Sequence, residues 1–255
     1  MASGIVHRLR CCHMRVLITE VAAPTTVRRT VAFAEAVFEG RQTIEGIEAV
    51  RVTAPEEAPE IWGRGGIPLF VDPEAAVRKA IRPQVIVDAI MAKRNTGTDR
   101  SQASLVIGVG PGFRAGASVH AVVESNRGHN LGRVLWEGEA EQDTGKPAPV
   151  GGYTEERVLR APQKGLFKAL LGIGDSVSAG EVVGQVDSAP LRAEIRGILR
   201  GLLKDGIQVV EGMKVGDIDP RGEREYCYVI SDKARAIAGG VLEAILHSLK
   251  DLDLA

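Results

Sequence analysis

The segment with the clearest chemical character is rich in glycine and spans residues 108–116. It reads Gly-Val-Gly-Pro-Gly-Phe-Arg-Ala-Gly and follows a short apolar run. Because glycine has no Cβ, the backbone N–H groups around Gly108, Gly110 and Gly112 can approach an anion closely, although Pro111 removes one donor. The segment predicts contact with a phosphate or another part of a cofactor. A tight connection between two elements is the alternative.

Two polar segments follow other apolar runs. Lys93, Arg94 and Asn95 begin the first, and Arg127 and His129 lie in the second. Cations combined with glycine or small hydroxyl residues are suited to binding a phosphate or carboxylate. Each segment is therefore a candidate ligand-binding loop, and a solvated basic loop is the alternative for each.

Glu20 directly follows a β-branched apolar run, the place where a dinucleotide-binding fold puts the carboxylate that binds ribose. In such folds a first strand and a glycine-rich loop precede this carboxylate. Residues 1–6 are helical in character instead. Ribose binding by Glu20 and a solvated surface acid both stay open.

Short apolar runs must position these loops. The candidate strands lie at residues 16–19, 67–71, 85–87, 105–107 and 119–123. Asp72 and Pro73 predict the start of a helix over residues 75–81. Continuous apolar strands between helical segments are typical of a parallel sheet covered on both faces, which binds ligands beyond the carboxyl ends of its strands. The predicted class is α/β, with a Rossmann-like parallel sheet domain whose first strand is missing.

The second half of the chain repeats itself between residues 161 and 219, at an offset of 32 residues that takes Ala161 to Ala193. The same offset pairs the glycines 165 with 197, 174 with 206, 180 with 212 and 184 with 216. In each copy a Val-x-x-Gly-x-x-Val segment predicts strand, turn and strand. One small β unit has therefore been used twice.

This duplicated cassette resembles the biotinyl/lipoyl-like module, the barrel-sandwich hybrid, in which two half-motifs interlock around a pseudo-two-fold axis. Carrier domains of that kind attach their prosthetic group to a lysine at the hairpin between the halves. Here the hairpin covers residues 186–191 and places Pro190 where the lysine is expected. Because proline has no amine to acylate, we expect a docking or spacer module without biotin or lipoate.

A C-terminal helix is predicted to start after Ser231 or Asp232, both good N-cap residues. Gly239 and Gly240 in its interior each cost about 1 kcal/mol relative to alanine, which predicts close packing against another backbone or a ligand. The predicted domains are the Rossmann-like domain over residues 1–152, an inserted β module over 153–222, and a C-terminal strand and helix over 223–255.

Six motifs spread over the whole chain resemble a single family. They lie at residues 28–33, 92–95, 108–113, 127–133, 217–222 and 231–237. The family is that of the YqeB-like accessory proteins of selenium-dependent molybdenum hydroxylases. The resemblance implies a cytoplasmic maturation factor that is needed to make a molybdenum hydroxylase active and is not the hydroxylase itself.

The same resemblance implies a nucleotide or a molybdopterin-type ligand, and a molybdenum hydroxylase or its cofactor-insertion machinery as partner. Asp219, Arg221 and Lys233, from the two C-terminal motifs, complete the candidate cofactor-binding set. Family members open with a strand and a Gly-Ala-Gly-Asp-like loop. We therefore expect the DNA upstream of the Met1 codon to encode an in-frame strand and glycine loop.

Cys227 is the only cysteine inside a patterned segment, Tyr-Cys-Tyr-Val-Ile. If the protein transfers sulfur or selenium to a molybdenum centre, a thiolate is the group that this chemistry requires. A small buried apolar residue is the alternative. Cys11 and Cys12 lie beside His7 and His13 on one short segment without a full ligand set, so no metal site is predicted.

Composition narrows the choice of partners. The chain has 255 residues, a net charge of −1, 44% hydrophobic residues and 25% charged residues, so nothing in its overall charge favours nucleic acid or an anionic membrane. Three functions stay open: an accessory factor that binds a nucleotide or cofactor, a free-standing NAD(P)-type oxidoreductase, and a non-catalytic adaptor. Assembly into a homo-oligomer is also left open.

Overall fold

The computed structural model describes residues 1–143 and 145–249. The α-helices are α1 (Ala2–Cys11), α2 (Ala36–Glu39), α3 (Ala58–Gly63), α4 (Arg78–Ile81) and α5 (Asp232–His247). The first ten strands are β1 (Ile18–Glu20), β2 (Arg41–Ile44), β3 (Ile47–Val52), β4 (Ile67–Val71), β5 (Val85–Asp88), β6 (Leu105–Val109), β7 (Arg114–Ala115), β8 (Ala121–Val123), β9 (Val134–Leu135) and β10 (Gly138–Glu139). The remaining strands are β11 (Val158–Arg160), β12 (Gly165–Ala169), β13 (Ser176–Val177), β14 (Val182–Val186), β15 (Ala189–Arg192), β16 (Gly197–Leu202), β17 (Gln208–Val209) and β18 (Lys214–Asp219).

The described chain forms two compact units. The parallel-sheet unit comprises residues 1–19, 52–143 and 230–249, and the duplicated unit comprises residues 20–51 and 145–229. Both units are discontinuous in sequence, whereas the domains predicted from the sequence were continuous. Residues 250–255 of the predicted C-terminal domain lie outside the described residues.

The parallel-sheet unit is built on the strand order β5-β6-β8-β9. Strand β6 pairs in parallel with both β5 and β8, and β9 closes the edge antiparallel to β8. These strands confirm the predicted α/β class and the predicted parallel pairing. The single parallel sheet that we expected was wrong in extent, because β1 and β4, the predicted strands at residues 16–19 and 67–71, belong to a different sheet.

Both faces of this sheet are buried. On one face Leu105, Ile107 and Val109 pack with apolar side chains of α1 and α5. On the other face Val106 and Val122 pack with Phe113, Ala115, Val119 and Ala140, which come from loops and the short β7–β10 ribbon. The connections from β5 to β6 and from β6 to β8 contain no α-helix. The predicted coverage of both faces is therefore confirmed, but only one face is covered by helices.

The predicted C-terminal helix is confirmed as α5, with Ser231 as its N-cap residue accepting a hydrogen bond from the Ala234 amide. Only one of its two interior glycines is needed for packing. A Cβ at Gly240 would overlap the Gly132 carbonyl oxygen, whereas a Cβ at Gly239 would meet no atom within 4 Å. The predicted close approach therefore occurs at Gly240, and the neighbour is a backbone carbonyl.

The duplicated unit contains two four-stranded antiparallel sheets, β11-β18-β16-β13 and β15-β14-β12-β17. The offset of 32 residues takes the start of β12 to the start of β16, β13 to β17 and β14 to β18. Each sheet combines two strands from each copy, so the copies interlock. Side chains from both sheets share one apolar core that includes Phe167 and its equivalent Leu199.

The backbone hydrogen bonds obey the same symmetry. The Gly174 amide donates to the Leu199 carbonyl at 2.8 Å, and at the equivalent place the Gly206 amide donates to the Phe167 carbonyl at 2.9 Å. Gly180 and Gly212, the central glycines of the two Val-x-x-Gly-x-x-Val segments, have φ angles of +85° and +75°. Such angles favour glycine, which explains why both copies keep it.

Two local predictions in this unit were wrong. The turn between β14 and β15 consists of Asp187 and Ser188, because Val186 pairs with Ala189; Pro190 lies within β15, opposite Gln185. The turn position that we assigned to Pro190 is thus occupied by an aspartate and a serine. A 3-10 helix, Arg224–Cys227, stands where we predicted a C-terminal strand.

Candidate functional site

Three loops leave the carboxyl ends of the parallel strands β5, β6 and β8. We call them the strand-end loops: residues 89–98, 110–113 and 124–133. Asp88, the buried last residue of β5, fixes the first of them. Its carboxylate accepts hydrogen bonds from the Ile90 amide at 3.0 Å and from Thr98 Oγ1 at 2.5 Å. The first loop is therefore anchored at both ends to the strand that it follows.

Asn95 shapes the same loop from within. Its Oδ1 accepts from the amides of Gly97 and Thr98, both at 2.8 Å, and its Nδ2 donates to the Thr98 carbonyl at 2.7 Å. These hydrogen bonds occupy the side-chain amide of Asn95, which we predicted would bind a ligand. The neighbouring Lys93 and Arg94 are exposed. Asn95 thus stabilises the conformation of the loop that carries these two cations.

The three predicted ligand-binding glycines have a packing role in this structure. A Cβ at Gly108 would overlap the Phe113 ring, one at Gly110 would overlap the Ser125 hydroxyl, and one at Gly112 would lie 2.5 Å from Arg94 Cα. Gly110 and Gly112 also have positive φ angles of +81° and +104°. The glycines therefore let the three strand-end loops approach one another.

Ser125 is the functional candidate that sequence reasoning missed. It is the second residue after β8 and is only 4% exposed. Its hydroxyl makes no hydrogen bond to the described residues. The signal in the sequence was its position shortly after a predicted parallel strand, where ligands of such sheets bind.

Four of the predicted ligand-binding residues are lysines or arginines of the strand-end loops and of the start of α5. Lys93 Nζ lies 2.5 Å from Asp143 Oδ2, and Arg127 binds both oxygens of Asp232 at 2.6 and 2.9 Å. The remaining two are Arg94, whose backbone packs on Gly112, and Lys233. Two of the four positive charges are thus balanced by carboxylates at hydrogen-bond distance.

Lys233 is a partly buried cation of this group. Burial and the positive charge of Arg127 lower its pKa below the ordinary 10.5, and the carboxylates of Asp143, Glu124 and Asp232 only partly compensate. No carboxylate of the described residues lies within ion-pair distance of its Nζ. A bound anion would supply the missing negative charge.

Glu124, like Asp88, is an acid that shapes a strand-end loop, and both of its carboxylate oxygens already accept hydrogen bonds. It is buried, and its two carboxylate oxygens accept hydrogen bonds from the amides of Asn126 at 2.6 Å and Glu141 at 2.7 Å. His129 lies in the same loop and is exposed. The structure places His129 in the strand-end loops but gives it no contact that defines a role.

Glu20 belongs to the duplicated unit, not to the unit that carries the strand-end loops. It is the last residue of β1, and its Oε1 accepts from the Val21 amide at 2.8 Å. Burial raises its pKa, and the hydrogen bond from Val21 partly offsets that rise. Ribose binding by Glu20 stays a prediction.

The buried Asp219 and the exposed Arg221 are part of a charge network in the duplicated unit, together with Arg28, Arg200 and Asp217. Arg200 donates to Asp217 Oδ2 at 2.6 Å and to Asp219 Oδ2 at 2.9 Å. Arg221 binds both oxygens of Asp219, at 2.9 and 2.6 Å. Both aspartates are only 1% exposed. The two predicted residues therefore neutralise each other within the protein.

Both aspartates are ionised in spite of their burial. Burial alone would raise their pKa values, but the charges of Lys214 and Arg200 outweigh it at Asp217, and hydrogen bonds from Arg221 outweigh it at Asp219. The net pKa shift is downward for each. The other carboxylate oxygen of Asp217, Oδ1, is buried and has no hydrogen-bond partner among the described residues.

Arg28 ties two segments of the unit together. Its Nη2 donates to the carbonyls of Tyr226 at 2.6 Å and Val229 at 3.3 Å, and Thr30 Oγ1 donates to the Cys227 carbonyl at 2.5 Å. Burial lowers the pKa of Arg28, and the charge of Arg200 adds to that effect. Sequence reasoning quoted Arg28 and Asp217 only as parts of family motifs and missed Arg200.

Cys227 is fully buried beside this network, with its Sγ 3.9 Å from the Leu199 carbonyl oxygen. Burial raises its pKa above the ordinary 9.0, although the charges of Arg28 and Arg200 oppose that rise. At neutral pH the group is therefore a thiol and not a thiolate. This environment favours the packing interpretation over a sulfur or selenium carrier.

We predict that Cys227→Ala lowers stability by about 1–2 kcal/mol, since it removes one buried atom from a packed site. The hydroxylase maturation that the family resemblance implies should be unchanged per folded molecule. A complementation assay, normalised to the folded protein in each strain, measures both effects. Loss of maturation by a variant that folds normally would instead assign the transfer chemistry to this thiol.

A search of the described residues finds no group of three or more His, Cys, Asp or Glu side chains that could hold a metal ion. Cys11 Sγ lies 3.7 Å from His7 Nδ1, and both cysteines of that segment are exposed. None of the described helices is long and apolar enough to span a membrane.

The decisive comparison is with a curated protein. The chain is 46% identical over 246 residues to the uncharacterized protein YqeB of Escherichia coli strain K12. The chain is YqeB-like. The match covers 96% of this chain but 46% of YqeB, so the chain spans about half the length of that relative. No family model matches the sequence.

The solved structures that match this YqeB-like chain resemble it only weakly. An aspartoacylase family protein from Mesorhizobium loti is 19% identical, with 25% of this chain and 23% of that chain covered and a TM-score of 0.23. The product-bound ectoine utilization protein EutE (DoeB) from Ruegeria pomeroyi is 15% identical, with 80% and 84% covered and a TM-score of 0.25. Similarity at this level bears on neither fold nor activity.

Proposed function

We propose that the parallel-sheet unit binds a phosphate-bearing ligand, a nucleotide or a compound related to the molybdenum cofactor, at the strand-end loops. The observation that carries the proposal is the partly buried Lys233, whose pKa is lowered and which has no carboxylate at ion-pair distance. A phosphate oxygen at this place would restore the charge balance and would receive a charge-assisted hydrogen bond.

The surrounding groups suit the same ligand. The unpartnered Ser125 hydroxyl can donate to a phosphate or ribose oxygen, and Arg94 and Lys93 are exposed on the adjoining loop. Lys233 also lies in the first turn of α5, where the helix dipole favours negative charge. Ligands of parallel sheets bind beyond the carboxyl ends of the strands, which is where these loops lie.

At the cellular level, we infer the role of an accessory factor in maturation of a selenium-dependent molybdenum hydroxylase. The family resemblance of the six motifs supports this role, and the likeness to YqeB supports membership of that family. The ligand would be the cofactor precursor or a nucleotide used in handling it. The hydroxylase or its cofactor-insertion machinery would be the partner, and the cytoplasm the site of action.

The duplicated unit would serve that role as a docking module. Its interlocked copies and the matching hydrogen bonds support a barrel-sandwich arrangement of the biotinyl/lipoyl-like type. The turn between β14 and β15 offers a carboxylate and a hydroxyl but no amine. We therefore assign it no prosthetic group.

A thermal-shift screen with NAD(P), ATP, CTP and molybdopterin nucleotides tests ligand binding. A true ligand present at 100 times its Kd should stabilise the folded state by about 2.7 kcal/mol. A tenfold weaker affinity in Lys233→Gln should leave about 1.4 kcal/mol of that stabilisation, whereas Lys79→Gln, which changes an exposed lysine of the same unit, should keep all of it. No shift with any compound would favour a non-catalytic adaptor.

Complementation of a strain that lacks the gene tests the maturation role separately. Hydroxylase activity should disappear without the protein, return with the wild type, and stay low with Lys233→Gln. Co-purification of a hydroxylase subunit with the wild-type protein would support the docking step. Normal hydroxylase activity in the deletion strain would refute the maturation role.

A further inference from the structure

A cavity of about 670 Å³ lies within the duplicated unit, between residues 146–156 and the two edge strands β11 and β15. Its charged lining residues are Lys146, Glu155, Glu156, Arg160, Arg192 and Glu194. Small-molecule sites commonly have volumes of about 300–1,000 Å³. The cavity is therefore large enough for a phosphorylated sugar or a nucleotide.

The two arginines in this cavity are equivalent under the duplication. The offset of 32 residues takes Arg160 to Arg192 and Gly180 to Gly212. Arg160 Nη1 donates to the Gly212 carbonyl at 3.0 Å, and Arg192 Nη1 donates to the Gly180 carbonyl at 2.9 Å. The internal symmetry thus brings two guanidinium groups, each oriented by one carbonyl, to a single cavity.

Most of the hydrogen-bonding capacity of this pair is unused. A guanidinium has five N–H donors, and each arginine commits one group to a carbonyl. Within the described chain, no carboxylate lies at ion-pair distance from Arg160 or Arg192. Planar guanidinium groups bind phosphate and carboxylate oxygens in pairs of hydrogen bonds. The arginine pair is thus equipped to receive an anionic group.

The acids of the cavity fall into two kinds. Glu156 Oε2 already accepts from the Thr154 amide at 2.9 Å and from the Thr154 hydroxyl at 3.3 Å. The hydrogen bond from the backbone of Glu156 itself, and then those from Thr154, lower its pKa. Glu155 and Glu194 have no such side-chain bonds in the described structure, so their carboxylates can accept hydrogen bonds from a ligand. Hydroxyl or amino groups would satisfy them.

We propose that this cavity is a second binding site, for a small phosphorylated molecule that also carries hydroxyl or amino donors. The phosphate binds Arg160 and Arg192, and the donors bind Glu155 and Glu194. This site is independent of the strand-end loops, because it uses only residues of the duplicated unit.

Calorimetric titration with ribose 5-phosphate tests the proposal, in a Lys233→Gln background that removes the anion site of the strand-end loops. Saturable binding is expected. Arg160→Gln and Arg192→Gln should each weaken it by about tenfold or more, because each loses a charge-assisted hydrogen bond. Arg196→Gln, at an exposed arginine of the same unit, should have no effect.

A further variant distinguishes binding of the phosphate group from binding of the hydroxyl groups of the ligand. Glu194→Gln should weaken ribose 5-phosphate binding but should not weaken the binding of inorganic phosphate. Melting temperatures close to that of the parent protein would show that the variants fold. No saturable binding of ribose 5-phosphate, or equal binding by the Arg160, Arg192 and Arg196 variants, would overturn the proposal.

Discussion

Asp217→Ala is expected to destabilise the duplicated unit by about 3–5 kcal/mol, the cost of removing one partner from a buried ion-pair network. Asp217 is 1% exposed and accepts two hydrogen bonds from Arg200, at 3.1 and 2.6 Å. Its removal would leave Arg200 facing Arg28, whose pKa burial already lowers. Chemical denaturation at pH 7 measures the change.

The control is Glu211→Ala, which removes an exposed carboxylate from the same unit. It should change the unfolding free energy by less than about 0.5 kcal/mol. The wild type should also lose stability as the pH falls below 3.8, the ordinary pKa of aspartate, because the pKa of Asp217 is lower in the folded state. A small effect of Asp217→Ala would contradict the view that the network stabilises this unit.

Gly240→Ala is expected to cost about 3 kcal/mol, whereas Gly239→Ala should stabilise the protein by about 0.5–1 kcal/mol. The added methyl group at residue 240 would overlap the Gly132 carbonyl oxygen, a backbone atom that can yield only if the helix or the loop moves, and it would also lie 2.9 Å from a methyl group of Val123. The methyl group at residue 239 would meet nothing within 4 Å and would only remove the cost of glycine in a helix.

Thermal unfolding of the two alanine variants provides the comparison, since they differ by one position in the same helix. Gly132→Ala should behave like Gly240→Ala, because its own Cβ would lie 2.7 Å from the Ala236 carbonyl oxygen and its φ is +85°. Equal melting temperatures for the variants at 239 and 240 would show that α5 does not approach the loop as described.

Patterns that repeat or that depend on near neighbours were predictable from the sequence. The offset of 32 residues anticipated the pairing of the copies because the matched glycines occupy equivalent turns, such as Gly180 and Gly212. The run 67–71 corresponds to β4, and Ser231 caps α5 as predicted. These features depend on local backbone conformation and on side-chain capping.

Features that depend on distant residues were not predictable. Asp217 and Arg200 look like ordinary alternating strand residues, and only the pairing of β16 with β18 brings them together. The glycines 108, 110 and 112 carry the same sequence signal whether they contact a ligand or, as here, Phe113, Ser125 and Arg94. Ser125 could be recognised only once the structure placed its hydroxyl against Gly110, without a hydrogen bond to the described residues.

The central claim, that Lys233 binds a phosphate-bearing ligand at the strand-end loops, is tested most directly by calorimetric titration with inorganic pyrophosphate. An Arg160→Gln background removes the second cavity from the measurement. Lys233→Gln should weaken binding by about tenfold, and Lys79→Gln should leave it unchanged. With Lys233 intact, affinity should fall as the pH rises through its lowered pKa, below 10.5. Equal affinity of the Lys233 and Lys79 variants, with no such pH dependence, would contradict the claim.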